Sequence, residues 1–481
     1  MRPPRSSPRA AAARAFAVAS TLAVTLAGAG RAVAGGFYVP EIGARAAGLG
    51  SAVVADGDDP SAIFHNPAGL AGADGVQVEL SAGMFLPRVT FYRRPLTDPN
   101  TGADLHFDGV RNTNRVIAAP YLGVSAALGR HATAGVAVYA PFGATLDFPL
   151  DGAQRQVVTQ IALRTIFVSP AVAAELPHGL TVGVAANLIW GDLALEQRNA
   201  LPYVTGDPEQ YPDPGAGLEG MTRIGGRDPF SVGATVGVGW RAPGGRLRVG
   251  ASVMSPVTLH LEGDARVENE SIAPLVDGDG VEQQPAGVRE DAVRIALPLP
   301  LVARLGIAAE VAPRWRVEAD VNWQRWSTFE RLVVDFVDEP ELLPTPGAYL
   351  YDVTVENAWR DTWSARLGVE TTLPAAPVAL HAGVLWDQSP IDDRHFSLLT
   401  PDSDKLGVAA GARWSRPTRG GRLDVDLAAL HLFVAERDVA PAADGSPGSA
   451  GTILDKPAPS FFHGVTRAGF DVITLAVAWR Q

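Results

Sequence analysis

The residues of this sequence that could do covalent or metal chemistry are few and scattered. There are nine histidines and no cysteine, so thiolate metal sites and disulfides are excluded. A hydrolase acting at a lipid edge needs a serine activated by a histidine. No serine lies in a G-x-S-x-G context, and the histidines do not cluster along the chain. His65 stands next to Asn66 in "DGDDPSAIFHNPAGL" (Asp56 to Leu70), where acidic turn formers precede a short apolar run that Pro67 and Gly69 punctuate. It reads as a turn residue. The sequence therefore predicts no catalytic residue, no metal ligand and no cofactor, and its chemistry must be that of surfaces and solvents.

The start of the chain bears on compartment. Arg2, Arg5, Arg9 and Arg14 precede the apolar run Ala15 to Gly30, and Ala32-Val33-Ala34 is a small-residue cleavage site. This pattern predicts a secretory signal peptide over 1–34. Its removal takes five arginines and no acids from the 40 basic and 52 acidic residues, leaving 35 against 52, a net charge of about −17. Clustered phosphate neutralisation is then out of reach, and no nucleic-acid partner is expected. A mature chain of 447 residues would ordinarily divide into domains. No Ser/Gly or Pro/Thr linker and no apolar stretch long enough for a membrane helix follows the leader.

The elements that must carry the function are strands. In "WRVEADVNWQ" (Trp315 to Gln324), Trp315, Val317, Ala319, Val321 and Trp323 fall on one face, and Arg316, Glu318, Asp320, Asn322 and Gln324 on the other. "FSVGATVGVGW" (230–240), "LTVGVAANLIW" (180–190) and "DTWSARLGVE" (361–370) repeat the alternation. Soluble strands run about 5–6 residues, whereas a tilted strand needs about 9–11 to cross a bilayer. These runs have the longer length, and tryptophans sit at their ends. Trp315 and Trp323 are separated by roughly 26 Å of strand, or roughly 20 Å of height at a tilt of about 40°, which matches the spacing of aromatic girdles around a lipid band. The expectation is an all-β fold: a transmembrane antiparallel β-barrel in the outer membrane of a Gram-negative bacterium, with about 13 to 16 strands by the count of alternating runs and an even number expected.

The connections agree. Tight Pro/Gly turns at 176–179, 241–246, 311–315, 373–377 and 416–422 alternate with long polar segments, notably near 191–229 and 262–290, which are expected to be extracellular loops. The barrel should occupy 75–481. Residues 35–74 lack alternation, are rich in Gly and Ala, and are expected to fold inside the barrel as a hatch, because a barrel this wide must otherwise leave a water channel. "ATAGVAVYAPFGATLDF" (132–148) alternates until Ala140-Pro141-Phe142-Gly143. Proline cannot donate to the ladder and glycine weakens it, so a bulge and a local hole are expected there.

Residues 35–70, with the triplet Asn66-Pro67-Ala68 after an acidic turn, resemble the N-terminus of the FadL/TodX-type outer-membrane transporters of long-chain fatty acids and aromatic hydrocarbons. "LPLPLVARLGIAAEVAPRWRVEADVNWQRWSTFERL" (297–332), ending in W-S-x-F, and "WDQSPIDDRHFSLLTPDSDKLGVAAGARW" (386–414), with D-x-S-P and P-D-x-D-K, are similar to further stretches of that family, in its order. The resemblance implies a 14-stranded barrel closed by its hatch. Ligand is caught on extracellular loops, held in an apolar pocket, and released sideways through a gap in a kinked third strand. On this sequence the hatch residues would be Phe37, Asn66, Pro67 and Ala68, and the opening would be Pro141, Phe142 and Gly143. The partners are then a hydrophobic small molecule, outer-membrane lipid and lipopolysaccharide, and the barrel-assembly machinery, with the protein a monomer. A carboxylate ligand would need an inward arginine, since the only lysines are Lys405 and Lys456. The alternative is a general porin for small polar solutes, for which inward Arg316, Glu318 and Asp320 would supply charge.

Overall fold

The computed structural model describes residues 36–97, 103–114, 116–200, 219–269, 275–276, 282–283, 289–339, 352–393, 395–440 and 463–481; the expected signal peptide and the segment 201–218 lie outside them. Fourteen antiparallel strands form the wall. They are β1 (Val76–Arg93), β2 (Ile117–Ala127), β3 (Ala132–Tyr139 with Gly143–Asp147), β4 (Gln160–Glu175), β5 (Leu180–Ala200), β6 (Glu219–Arg241) and β7 (Leu247–Met254 with Val257–Asn269). They continue with β8 (Arg289–Leu299 with Val302–Ala312), β9 (Trp315–Gln324 with Arg331–Phe336), β10 (Val353–Glu356 with Thr362–Thr372), β11 (Val378–Asp387), β12 (Lys405–Thr418), β13 (Gly421–Val434 with Arg437–Val439) and β14 (Gly464–Arg480). Each pairs with its sequence neighbours. β14 closes on β1 from Gln77↔Arg480 to Arg93↔Gly464, which removes the free edges an open sheet would expose.

Period two decides which way each side chain points. Leu80, Val184, Val236, Ile307, Leu367, Val408 and Leu475 are outward and exposed, while Asn187, Thr235, Asp320, Ser364 and Thr474 are inward and buried. Reversed in this way, with the greasy side out, the wall has lipid as its solvent. Among the described residues no helix is long and apolar enough to cross a membrane, so the strands do the crossing. Trp240, Trp315, Trp414 and Trp479 stand at the short-turn rim, and the register sets Trp323 against Trp363 toward the other.

The expected loops near 191–229 and 262–290 are corrected in part. Residues 191–200 and 219–229 are strand, paired from Ala200↔Glu219 downward, and 262–267 pairs with both neighbours. The apolar alternation that signals a lipid-facing strand disappears there because the outward face has left the lipid. Leu193, Leu195, Ile224 and Leu261 still face in, but the opposite face carries charges that pair across strands: Arg223–Glu196 at 3.4 Å, Arg223–Glu268 at 3.0 Å and Arg266–Glu290 at 2.5 Å.

Residues 36–75 lie inside the wall, almost wholly buried. They form two short helices, α1 (Ala44–Gly48) and α2 (Ala62–His65), and a 3-10 turn, Pro67–Leu70.

Candidate functional site

The hatch is held by shape, by hydrogen bonds and by charge. Asn66 accepts from the backbone N–H of Ala68 at 3.2 Å and so caps the 3-10 turn that Pro67 begins. Its amide donates to the carbonyls of Val54 (2.9 Å) in the hatch and Val238 (3.1 Å) in β6. One side chain thereby folds the turn and fastens it to the wall. The wall leaves room for it: a Cβ on Gly237 would stand 2.0 Å from the Asn66 oxygen, and one on Gly183 2.4 Å from the Pro67 carbonyl carbon. His65 is buried with its Nε2 2.9 Å from the Ile42 carbonyl, and burial pushes its imidazole down to about 4, so near neutral pH it is an uncharged donor spent on the hatch backbone.

Charge fixes the hatch at its centre. The fully buried carboxylate of Asp56 pairs with Arg45 of α1 at 3.1 Å and with Arg248 of β7 and Arg316 of β9. Arg45 also donates to Glu370 of β10 at 2.8 Å. Asp320 of β9 accepts from the N–H groups of Val53 (2.8 Å) and Val54 (3.1 Å), and Glu318 accepts from Ala55 at 2.6 Å. Arg316, Glu318 and Asp320, which a porin would use to line a pore, are thus bound to the hatch. The acidic turn was visible in the sequence. Its partners in the wall were not, because Arg248 and Arg316 stand 192 and 260 positions away.

The third strand breaks where Pro141 falls. Tyr139 opposes Phe167 and Gly143 opposes Arg164, so three residues of β3 face two of β4. Thr165 steadies the bulge by donating to the Phe142 carbonyl at 2.6 Å. On its other side β3 pairs with β2 only between Leu122↔Val138 and Ala127↔Thr133, and among the described residues the rest of β2, 117–121, has no ladder partner in β3. Higher up, Asn114 closes on Asp147, donating at 2.6 Å and accepting from its N–H at 2.8 Å. A window is framed between these two closures. The hatch reaches it from inside: Val39 N–H donates to the Pro141 carbonyl, Gly143 N–H donates to the Phe37 carbonyl, both at 2.8 Å, and Tyr38 bridges Phe142. The start of the hatch takes the place of the missing strand pairing.

Behind this contact lies an aromatic chamber. The Phe37 ring lies 4.7 Å from Trp326, 5.9 Å from Phe329, 5.7 Å from Trp359 and 6.2 Å from Phe142, and Tyr38 lies 5.3 Å from Phe142. Trp326 and Phe329 are the ends of the W-S-x-F motif, set inward by the bend between the two halves of β9. Trp359, from the bend in β10, carried no signal in the sequence. The P-D-x-D-K stretch folds the segment before β12: Asp402 holds Lys405, and Asp404 accepts from Ser389 of the D-x-S-P motif at 2.8 Å.

Glu41 is the one discordant group of the hatch. Both carboxyl oxygens are buried without a partner, and burial, with Asp387 beside it, pushes the carboxyl up to about 7. The seated hatch keeps this proton, and a released one loses it near 4.5, so the stability it allows below pH 4.5 is lost as pH rises toward 7. Glu41→Gln should abolish that loss, making the hatch more resistant to protease at pH 8 by up to about 3 kcal/mol of opening free energy. Protease cleavage rates at pH 5 and pH 8 check it.

A closed, lipid-facing barrel stoppered by its own N-terminal segment defines an outer-membrane transport protein. Residues 25–455 match the family described as outer membrane protein transport protein (OMPP1/FadL/TodX), and the chain belongs to that family. Its fold is similar to that of a Pseudomonas aeruginosa FadL homologue, at 17% identity, a TM-score of 0.73, and coverage of 92% of this chain and 99% of that one. It is also similar to the Ralstonia pickettii toluene transporter TbuX, at 16% identity, a TM-score of 0.62, and coverage of 91% and 98%. A Neisseria meningitidis serogroup B relative, named as an outer membrane protein, is 23% identical over 426 residues, which are 83% of this chain and 86% of that one.

Proposed function

We propose that this protein carries hydrophobic molecules, long-chain fatty acids or aromatic and aliphatic hydrocarbons, passively across the outer membrane, and that it is not an enzyme. The observation that carries this reading is the pairing of hatch residues 37–39 with the broken strand at 141–143. The polar, charged layer of lipopolysaccharide blocks apolar solutes that would otherwise cross a bilayer freely. Ligand caught on the extracellular loops moves into the aromatic chamber around Phe37, Trp326 and Trp359. There it competes with the hatch for apolar contacts, the hatch start withdraws from Pro141–Gly143, and the ligand leaves sideways into hydrocarbon without meeting water. No chemistry and no energy source is needed. The Asn66-Pro67-Ala68 turn is the fixed part of the hatch and Phe37 the moving part.

The general-porin reading needs an open bore, and the inward charges it would use are committed to the hatch. Mass spectrometry of apolar material extracted from the purified protein tests the proposal. A bound fatty acid or hydrocarbon supports it. A protein that carries no apolar ligand, and takes none up when offered one, would refute it.

A further inference from the structure

The chain as a whole is acidic, yet its short-turn rim is basic. Arg130 lies in the turn between β2 and β3, Arg241 and Arg246 flank the turn between β6 and β7, and Arg314 stands just before β9. Arg416 and Arg419 fall at the end of β12 and just beyond it. All six are exposed, and among the described residues none has a carboxylate within ion-pair distance. The acids of the same rim are fewer. Asp74 is exposed, Glu175 lies 3.9 Å from His131, and Glu310 lies 3.8 Å from Arg316. Asp58 is met by Arg480 at 3.9 Å, and Asp424 by Arg422 at 2.9 Å. The rim carries a surplus of fixed positive charge.

Its height decides what that charge meets. Arg241 follows Trp240, Arg314 precedes Trp315, and Arg416 comes two residues after Trp414; all three tryptophans are exposed on the outward face. One or two residues are about 3–7 Å of strand. Girdle aromatics sit at the headgroup edge of the hydrocarbon, so these guanidinium groups stand at the level of the leaflet's phosphates. One place on the rim is shaped as well as charged. A recess of about 340 Å³ opens between the turns at 176–179 and 241–246, lined by His178, Thr181, Arg241, Gly244 and Gly245. Both glycines have positive φ, 88° and 73°, and a Cβ on either would meet nothing within 4 Å. Glu175 also lines the recess and can accept from a headgroup hydroxyl. Above it, Leu180, Val182, Val238 and Trp240 offer an exposed apolar face to acyl chains. Inward, the space continues past Thr181 to Gly69 and Asn66, at the foot of the hatch.

We infer that this rim binds anionic phospholipid of the periplasmic leaflet, with one phosphate headgroup seated in the recess at Arg241, beside Arg246. Charge complementarity and continuity with the lipid-facing wall select that occupant. The inference is independent of what the barrel carries. On the opposite rim Arg325, Arg331 and Arg360 also lack ion pairs among the described residues, but acids stand among them. Glu356 is opposite Arg331 in the register, and Glu330 and Asp361 adjoin Arg331 and Arg360 in the chain.

The test is native mass spectrometry of the full mature barrel with phosphatidylglycerol or phosphatidylcholine of identical chains. The wild type should hold phosphatidylglycerol at least about fivefold more tightly, and the preference should shrink as ammonium acetate is raised. Arg241→Gln combined with Arg246→Gln should at least halve it, whereas Arg325→Gln combined with Arg331→Gln should leave it intact. None of these side chains is held by an ion pair, so both variants should fold, which heat-modifiable gel mobility verifies. No preference in the wild type, or one that the Arg241 and Arg246 replacements leave unchanged, would overturn the inference. A second measurement needs no variant: glycerol 3-phosphate at the lipid's own concentration should not displace phosphatidylglycerol. Displacement would mark a soluble phosphoester as the occupant and overturn the lipid assignment, as would an acidic periplasmic protein that binds the rim while phosphatidylglycerol does not.

Discussion

Asp56→Ala should unseat the hatch and turn a silent barrel into a conducting one. Among the described residues Asp56 is the one acid that pairs with all three guanidinium groups of Arg45, Arg248 and Arg316, and its side chain is fully buried. Removing it takes the acid from Arg248 and leaves Arg45 and Arg316 to share Glu370. Losing one partner of a buried ionic group costs about 3–5 kcal/mol, which raises the unseated population by about a hundredfold to a few thousandfold. In planar bilayers the wild type should give no steady current and Asp56→Ala long openings, with heat-modifiable gel mobility unchanged because the wall does not depend on the hatch. Asp56→Asn, which keeps the shape but not the charge, should lie between them. A silent Asp56→Ala channel would show that hydrogen bonds such as Asn66 to Val238 and Asp320 to Val53 suffice without the ionic hub.

The second large effect concerns the window. Pro141→Val combined with Gly143→Val restores a backbone donor and two strand-forming side chains where the ladder now stops. Residues 140–147 would then pair with the stretch 117–121 of β2, whose β3-facing edge is free of ladder partners among the described residues, and close the wall. Uptake of a hydrophobic ligand by cells producing this variant should fall at least about tenfold, since the only other way out leads through buried hatch and polar lumen. Ligand binding to the purified protein should persist, since the aromatic chamber keeps Trp326, Phe329 and Trp359. Undiminished uptake would exclude exit through this window.

Legibility in the sequence followed the locality of each signal. Trp315 to Gln324 announced its two faces because its outward side chains meet lipid over its whole length. Outward positions near Arg223 and Arg266 meet water instead, so strand there reads as loop. Asn66-Pro67-Ala68 and Pro141 could be located because capping and ladder breaking depend on one or two residues. What they touch could not be read. The hydrogen bonds from Val39 to Pro141 and from Gly143 to Phe37 join segments about 100 residues apart, and no periodicity encodes that. The hub of Asp56 is hidden for the same reason.

The most direct measurement of lateral exit uses the absence of cysteine from this chain. Ala119→Cys in β2 and Ala144→Cys in β3 can be joined across the window by a bifunctional thiosulfonate reagent, whose disulfides are cleaved by reductant. Uptake of a labelled hydrophobic ligand should cease on tethering and recover on reduction, with the untethered double variant at the wild-type rate. Uptake at full rate through a tethered window would contradict the account.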